Sequence, residues 1–194
     1  MNKTKLETRQ IALAALLTAI VVVLQVIANF VQPIPGVSIT LVLVPVVIGA
    51  ALLGKWIGAW LGFVFGAVVL ALGGAAAFLL IHPVGTVVTV LVKGSCAGLA
   101  AGIVYKLLEK INPYLAVLAA SFVCPVVNTG LFFVGCRLFF WKTIQEWGVA
   151  AGFQNTFAYM VLGLAGINFL IELGINLLLA PTILRLIRQG KKKP

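Results

Sequence analysis

The sequence predicts an all-α membrane protein, a six-transmembrane-helix bundle with both termini cytoplasmic. Three observations predict it. Of 194 residues, 62% are apolar and only 9% are charged. Mean hydropathy is +1.18. The charges gather in short runs between or beyond the apolar stretches. A soluble domain carries about a quarter charged residues because its surface faces water. A chain this short has too few charges to cover so much apolar surface, and six spans of roughly 20 residues account for most of its length. Residues 1–194 therefore form a single integral membrane domain.

The polar start, Met1 to Arg9, leads into an apolar run too long for a signal-peptide core, so that run is a retained span. The first span covers about 10–30 and is stopped by Gln32-Pro33-Ile34-Pro35-Gly36. The second covers 38–53, with a kink expected at Pro45. Gly54-Lys55 turns tightly into the third, 56–72. Gly73-Gly74 and Pro83 bracket a loop or short reentrant piece containing His82. The fourth span covers 84–108, the fifth 113–140 and the sixth 157–187. A polar, aromatic stretch from Trp141 to Thr156 separates the last two, and a basic tail fills 185–194.

Loop cations orient the bundle. With the N-terminus inside, the cytoplasmic side receives Lys3, Lys5, Arg9, Lys55, Lys106, Lys110, Arg185, Arg188 and Lys191 to Lys193. Arg137 and Lys142 fall at the outer edge and Lys93 within the fourth span. The formal charge of +10 thus reflects membrane topology and not nucleic-acid binding. Cys96, Cys124 and Cys136 sit inside apolar stretches without paired spacing, so they read as buried small hydrophobes, with no disulfide framework and no metal site. Gly-x-x-x-Gly spacing recurs at Gly54, Gly58, Gly62 and Gly66 and again at Gly94, Gly98 and Gly102, small faces that let helix backbones approach closely.

Catalysis finds no support. There is one histidine, no aspartate, no nucleophile–base pair and no phosphate-binding loop. His82, beside a proline near an outer loop, reads as a loop or interface residue. The informative residues are polar groups at membrane depth, which are expensive there. Asn168, Glu172 and Asn176 recur every four residues and share one face of the sixth span. Lys93 lies on the fourth span with Thr86 and Thr89, and Asn128 and Arg137 lie on the fifth. Lys93 and Glu172 suit either mutual neutralisation or direct ligand contact. Arg137 also suits two roles. It is an interfacial arginine snorkelling in an aromatic belt, or a cation beside the aromatic walls of Phe139, Phe140, Trp141 and Trp147 around a small anionic or planar ligand. Asn29 and Gln32 reach the same outer level, which favours the second role. On the first span, Ala15 and Ala19 form a smooth strip for another helix.

Together these features resemble the S components of energy-coupling factor transporters, the vitamin-capturing membrane subunits of bacteria and archaea. The resemblance rests on six spans in this length and on the basic N-terminus running into Arg9-Gln10-Ile11-Ala12-Leu13-Ala14-Ala15-Leu16-Leu17-Thr18-Ala19. It rests also on a Pro-Gly loop before the second span, the run Lys93-Gly94-x-x-Ala97-Gly98-x-x-Ala101-Gly102, and Glu172-x-x-x-Asn176 followed by Pro181 and a basic tail. It implies a multi-pass cell-membrane protein that holds a small vitamin near the outer face and performs no chemistry. It further implies docking, through helix-one small residues matched here by Ala15 and Ala19, to a shared transmembrane scaffold subunit that carries two cytoplasmic ATPases. The segment Pro125-Val126-Val127-Asn128-Thr129-Gly130-Leu131-Phe132, continuing to Arg137-Leu138-Phe139-Phe140, is similar to members assigned to pantothenate. A carboxylate and several hydroxyls suit Arg137 with Asn128 and Asn168. Riboflavin is the alternative, since several aromatics can sandwich a flat ring. No cofactor is implied. Rival classes are a small channel or membrane scaffold protein, which needs a continuous polar path, and an intramembrane enzyme, which needs a catalytic pair.

Overall fold

The computed structural model describes residues 3–30 and 41–191, and every regular element among them is helical. The order is α1 (Lys3–Phe30), α2 (Leu43–Leu53), α3 (Lys55–Ala71), α4 (Ala76–Ile81), α5 (Pro83–Leu108), α6 (Pro113–Phe139), α7 (Trp141–Ala150), α8 (Thr156–Ala158), a π-helix (Tyr159–Leu164) and α9 (Gly166–Lys191). Among the described residues, four segments are long and apolar enough to cross a membrane: Thr8–Phe30, Pro83–Leu108, Pro113–Phe139 and Asn168–Gly190. The α2 and α3 helices are apolar but shorter, at 11 and 17 residues. At 1.5 Å per residue they rise about 16 and 26 Å, against a hydrocarbon core of about 30 Å.

Local chemistry sets the helix ends. Asn112 caps α6 through Oδ1, which accepts from the backbone N–H of Tyr114 at 2.9 Å and Leu115 at 3.2 Å, while Pro113 occupies the first helical position. His82 caps α5, its Nδ1 accepting from Gly85 N–H at 2.8 Å. Between α2 and α3 the single residue Gly54 turns the chain with φ +100°, a conformation that side-chain-bearing residues resist. Asn155 Oδ1 accepts from the N–H groups of Phe157 and Ala158 at the start of α8.

Several expectations need correction. Helix α1 starts at Lys3, because the polar residues before Gln10 continue the helix. Pro45 lies in the first turn of α2, where its missing N–H has no intrahelical partner to lose, so the expected interior kink has no cause. The expected start of that span at Ser38 lies outside the described residues. The segment bracketed by Gly73-Gly74 and Pro83 contains the short helix α4, and Trp141–Ala150 is helical as α7. The sixth span is not one helix over 157–187. It begins as a π-helix, whose closing bond runs from Ala165 N–H to Met160 O at 3.2 Å, and breaks at Ala165 before α9 continues to Lys191.

Helices α3 and α5 pack through the two glycine rows. A Cβ on Gly62 would overlap the Gly94 carbonyl, and one on Gly98 would overlap the Gly58 carbonyl. Only glycine permits this approach. Trp60 on α3 donates its indole N–H to Thr18 Oγ1 on α1 at 3.2 Å. The main core joins Leu17 and Val21 of α1 to Val46 and Val47 of α2, Leu61 of α3, Ala97 of α5, Val117 of α6 and Ile183 of α9. Near the start of the chain, an Arg9 guanidinium N–H donates to Gly190 O at 3.4 Å, so the two ends of the described chain meet at one end of the bundle. A smaller core of Cys136, Phe140, Ile144 and Met160, packed by Phe78, Trp147 and Tyr159, closes the opposite end.

Candidate substrate cavity

At the end opposite Arg9 and Gly190, a cavity of about 260 Å³ opens among the helices. Helix α1 supplies Gln25, Ala28 and Asn29, and α5 supplies Thr86, Thr89 and Lys93. Helix α6 supplies Asn128, Thr129 and Phe132, and α9 supplies Asn168, Phe169 and Glu172. Phe65 of α3, Phe78 of α4 and Phe140 complete its aromatic wall.

The helical period explains the polar face. Gln25 and Asn29 are four apart on α1, as are Thr89 and Lys93 on α5 and Asn168 and Glu172 on α9, so each pair stacks toward the same space. Asn176, one turn farther, lies below the cavity; it is fully buried, and its Nδ2 donates to the Glu172 carbonyl at 2.8 Å. Lys93 Nζ lies between two rings, 5.7 Å from the Phe65 centroid and 5.6 Å from that of Phe132. Phe faces attract a cation through their quadrupole. Glu172 lines the same cavity from α9. Three buried oxygens on the lining, Gln25 Oε1, Thr89 Oγ1 and Asn128 Oδ1, have no hydrogen-bond partner among the described residues. Buried polar atoms are nearly always paired, so a cluster of three facing one cavity fits a polar occupant.

The aromatic wall is built by packing edges onto faces. Phe78 meets Phe132 at 5.7 Å and 86°, Phe140 at 5.0 Å and 70°, and Trp147 at 5.5 Å and 68°. Helix α4 therefore anchors the cavity to both α6 and α7.

Of the residues singled out from the sequence, the cavity gathers Asn29, Lys93, Asn128, Asn168 and Glu172. Gln32 lies outside the described residues. Arg137 and Trp141 do not line the cavity: the exposed guanidinium lies over the Trp141 ring, 4.4 Å from its centroid. Nine residues beyond Asn128, Arg137 stands 2.5 turns away and so faces another direction. Gln25, Thr129, Phe65 and Phe78 were not singled out. For Gln25 a signal existed, a lone polar residue in the middle of an apolar helix. For Phe65 and Phe78 nothing distinguished them from other membrane aromatics. Ala15 and Ala19 are exposed on α1, away from the cavity.

Among the described residues, no three His, Cys, Asp or Glu side chains gather into a metal-sized cluster. What the site offers is a lysine, a carboxyl, amides and hydroxyls around a small open cavity, which suits reversible capture of a small polar molecule. No curated protein and no solved structure matches the chain. The family model described as "ECF transporter, substrate-specific component" matches residues 9–184. The chain belongs to the family of substrate-specific components of ECF transporters, multi-pass membrane subunits for substrate transport.

Proposed function

We propose that this chain captures a small water-soluble vitamin, pantothenate in the first instance, in the cavity among α1, α5, α6 and α9, and delivers it across the membrane as part of an ATP-driven importer. The observation that carries the reading is the convergence of Lys93, Asn128, Asn168 and Glu172 with the unpartnered Gln25, Thr89 and Asn128 oxygens on one cavity. Pantothenate brings a carboxylate, an amide and hydroxyls to such a lining. At about 260 Å³ the cavity lies just below the roughly 300–1,000 Å³ usual for ligand pockets, which favours the smaller vitamin. Riboflavin is the second reading, favoured by the phenylalanine wall of Phe65, Phe78 and Phe132. Titrating the purified chain with both vitamins tests the proposal. Tight pantothenate binding at one site per chain is the expected result. Tight riboflavin binding without pantothenate moves the assignment to the second reading, and binding of neither overturns both.

The same reading gives the topology and partners. Helices α1, α2, α3, α5 and α6, with the π-helix and α9 together as the sixth, make six crossings. An even number agrees with Arg9 meeting Gly190 at one end. That end carries most of the cations, so it faces the cytoplasm in a bacterial or archaeal cell membrane. A cysteine added at either terminus should resist a membrane-impermeant thiol reagent in intact cells. Labelling from outside would reverse the orientation. The partners are a shared transmembrane scaffold subunit, docked on the strip of Ala15 and Ala19, and two cytoplasmic ATPase subunits.

A further inference from the structure

We propose that Lys93 is the residue by which the cavity selects an anionic ligand, so that the vitamin lies with a carboxylate at Lys93 and hydrogen-bond donors toward the acceptors around it. The assignment rests on the reading of the cavity as a vitamin site.

It starts from an inventory of donors and acceptors. A lysine ammonium offers three donors and no acceptor. Around Lys93 Nζ stand the faces of Phe65 and Phe132, at 5.7 and 5.6 Å. These rings attract the charge but leave its N–H groups free to point at a ligand. An ionised Glu172 carboxylate only accepts, and the oxygens Gln25 Oε1, Thr89 Oγ1 and Asn128 Oδ1 are buried and unpartnered among the described residues. One cationic donor among several acceptors is matched by a molecule with one anionic acceptor and several O–H or N–H donors. A neutral ligand offers the Lys93 ammonium only uncharged acceptors, which form weaker hydrogen bonds than a carboxylate does. Glu172 balances the lysine's charge, and its carboxylate accepts from the hydroxyl or amide end of the same ligand. Arg137, another cation on this side, is exposed over Trp141 and away from the cavity, where solvent competes for any ligand carboxylate.

Matched acid and neutral forms of one vitamin test the proposal: pantothenate against pantothenyl alcohol, biotin against its amide, and nicotinate against nicotinamide, with riboflavin as a neutral ligand. Each is titrated calorimetrically into the purified full chain. Whichever pair binds, the acid should bind roughly tenfold or more tighter than its neutral form, the value of one charge-assisted hydrogen bond. Lys93→Met should erase that preference and Lys93→Arg should keep it. The wild-type comparison needs no variant, so it decides the matter even where Lys93→Met does not fold. Equal or inverted affinities in the wild type overturn the proposal. So does a preference that survives Lys93→Met but disappears in Arg137→Ala, which places the carboxylate at the rim. The outcomes separate the two readings. A different acid vitamin with a Lys93-dependent preference removes pantothenate but keeps the role of Lys93. Riboflavin as the sole ligand removes that role and keeps vitamin capture. No binding by any vitamin removes both.

Discussion

Replacing Gly62 with leucine should cost the protein most of its folded yield and lower the unfolding temperature of what remains. The α3–α5 contact is backbone against backbone. A Cβ at Gly62 would overlap the Gly94 carbonyl, Gly58 faces Gly98 in the same way, and a Cβ at Gly66 would come 2.7 Å from Val90 O. Flexible side chains relieve overpacking by changing rotamer; a carbonyl inside a helix cannot. Overpacking costs about 1–3 kcal/mol in ordinary cores, and the rigid obstacle here places the loss at about 3 kcal/mol or beyond. The bilayer sharpens the effect, because helices in lipid associate through close packing and not through water exclusion. Gly174→Ala is the contrasting change. Nothing lies within 4 Å of its added Cβ, and alanine in a helix interior gains about 0.5–1 kcal/mol over glycine. Thermal unfolding in detergent, followed by size exclusion and tryptophan fluorescence, should separate the two variants clearly. Equal midpoints would mean that the glycine rows do not hold the bundle together.

The paired change Ala15→Trp with Ala19→Trp should abolish vitamin uptake while leaving vitamin binding intact. Both alanines are exposed and lie one turn apart on α1, with Leu17 and Val21 buried on the opposite side of the same turns. Large indoles there keep a partner helix from reaching the α1 backbone. The cavity is spared by distance. Its first α1 residue, Gln25, lies six positions beyond Ala19, about 9 Å along the helix, and it is buried whereas both alanines are exposed. Uptake of radiolabelled vitamin by cells carrying the complete transporter should fall to background, and titration of the purified variant should match the wild type. Undiminished uptake would remove this strip from the coupling surface. Loss of binding would show that the change had disturbed the fold instead.

The two experiments draw on different levels of the molecule. The alanine strip was legible in the sequence, because period and residue size alone place two small side chains on one helical face. The glycine rows were legible as small faces, but their mutual pairing was not, since spacing within one helix does not say which neighbour it meets. The same distinction separates Lys93 from Arg137. Both were visible as cations, Lys93 at membrane depth with Thr86 and Thr89, and Arg137 at the outer edge beside aromatic residues. The fold brings Lys93 between Phe65 and Phe132 at the cavity and leaves Arg137 over Trp141 outside it. Sequence proximity to Phe139, Phe140 and Trp141 suggested a site around Arg137, yet neighbours along a helix point in different directions.

Composition and local pattern are enough to specify the solvent, the helical class and the candidate polar residues. Lipid tolerates few charges, an apolar run of about 20 residues must satisfy its own backbone bonds, and polar groups at depth stand out against that background. The packing of the helices places Gln25, Thr89, Lys93, Asn128 and Glu172 on one cavity, carries Phe78 of α4 into its wall, and gives the last span a π-helix that breaks at Ala165. These depend on how helices cross and which faces they turn to each other. Contacts between residues more than a hundred positions apart set that geometry, and no local pattern records it.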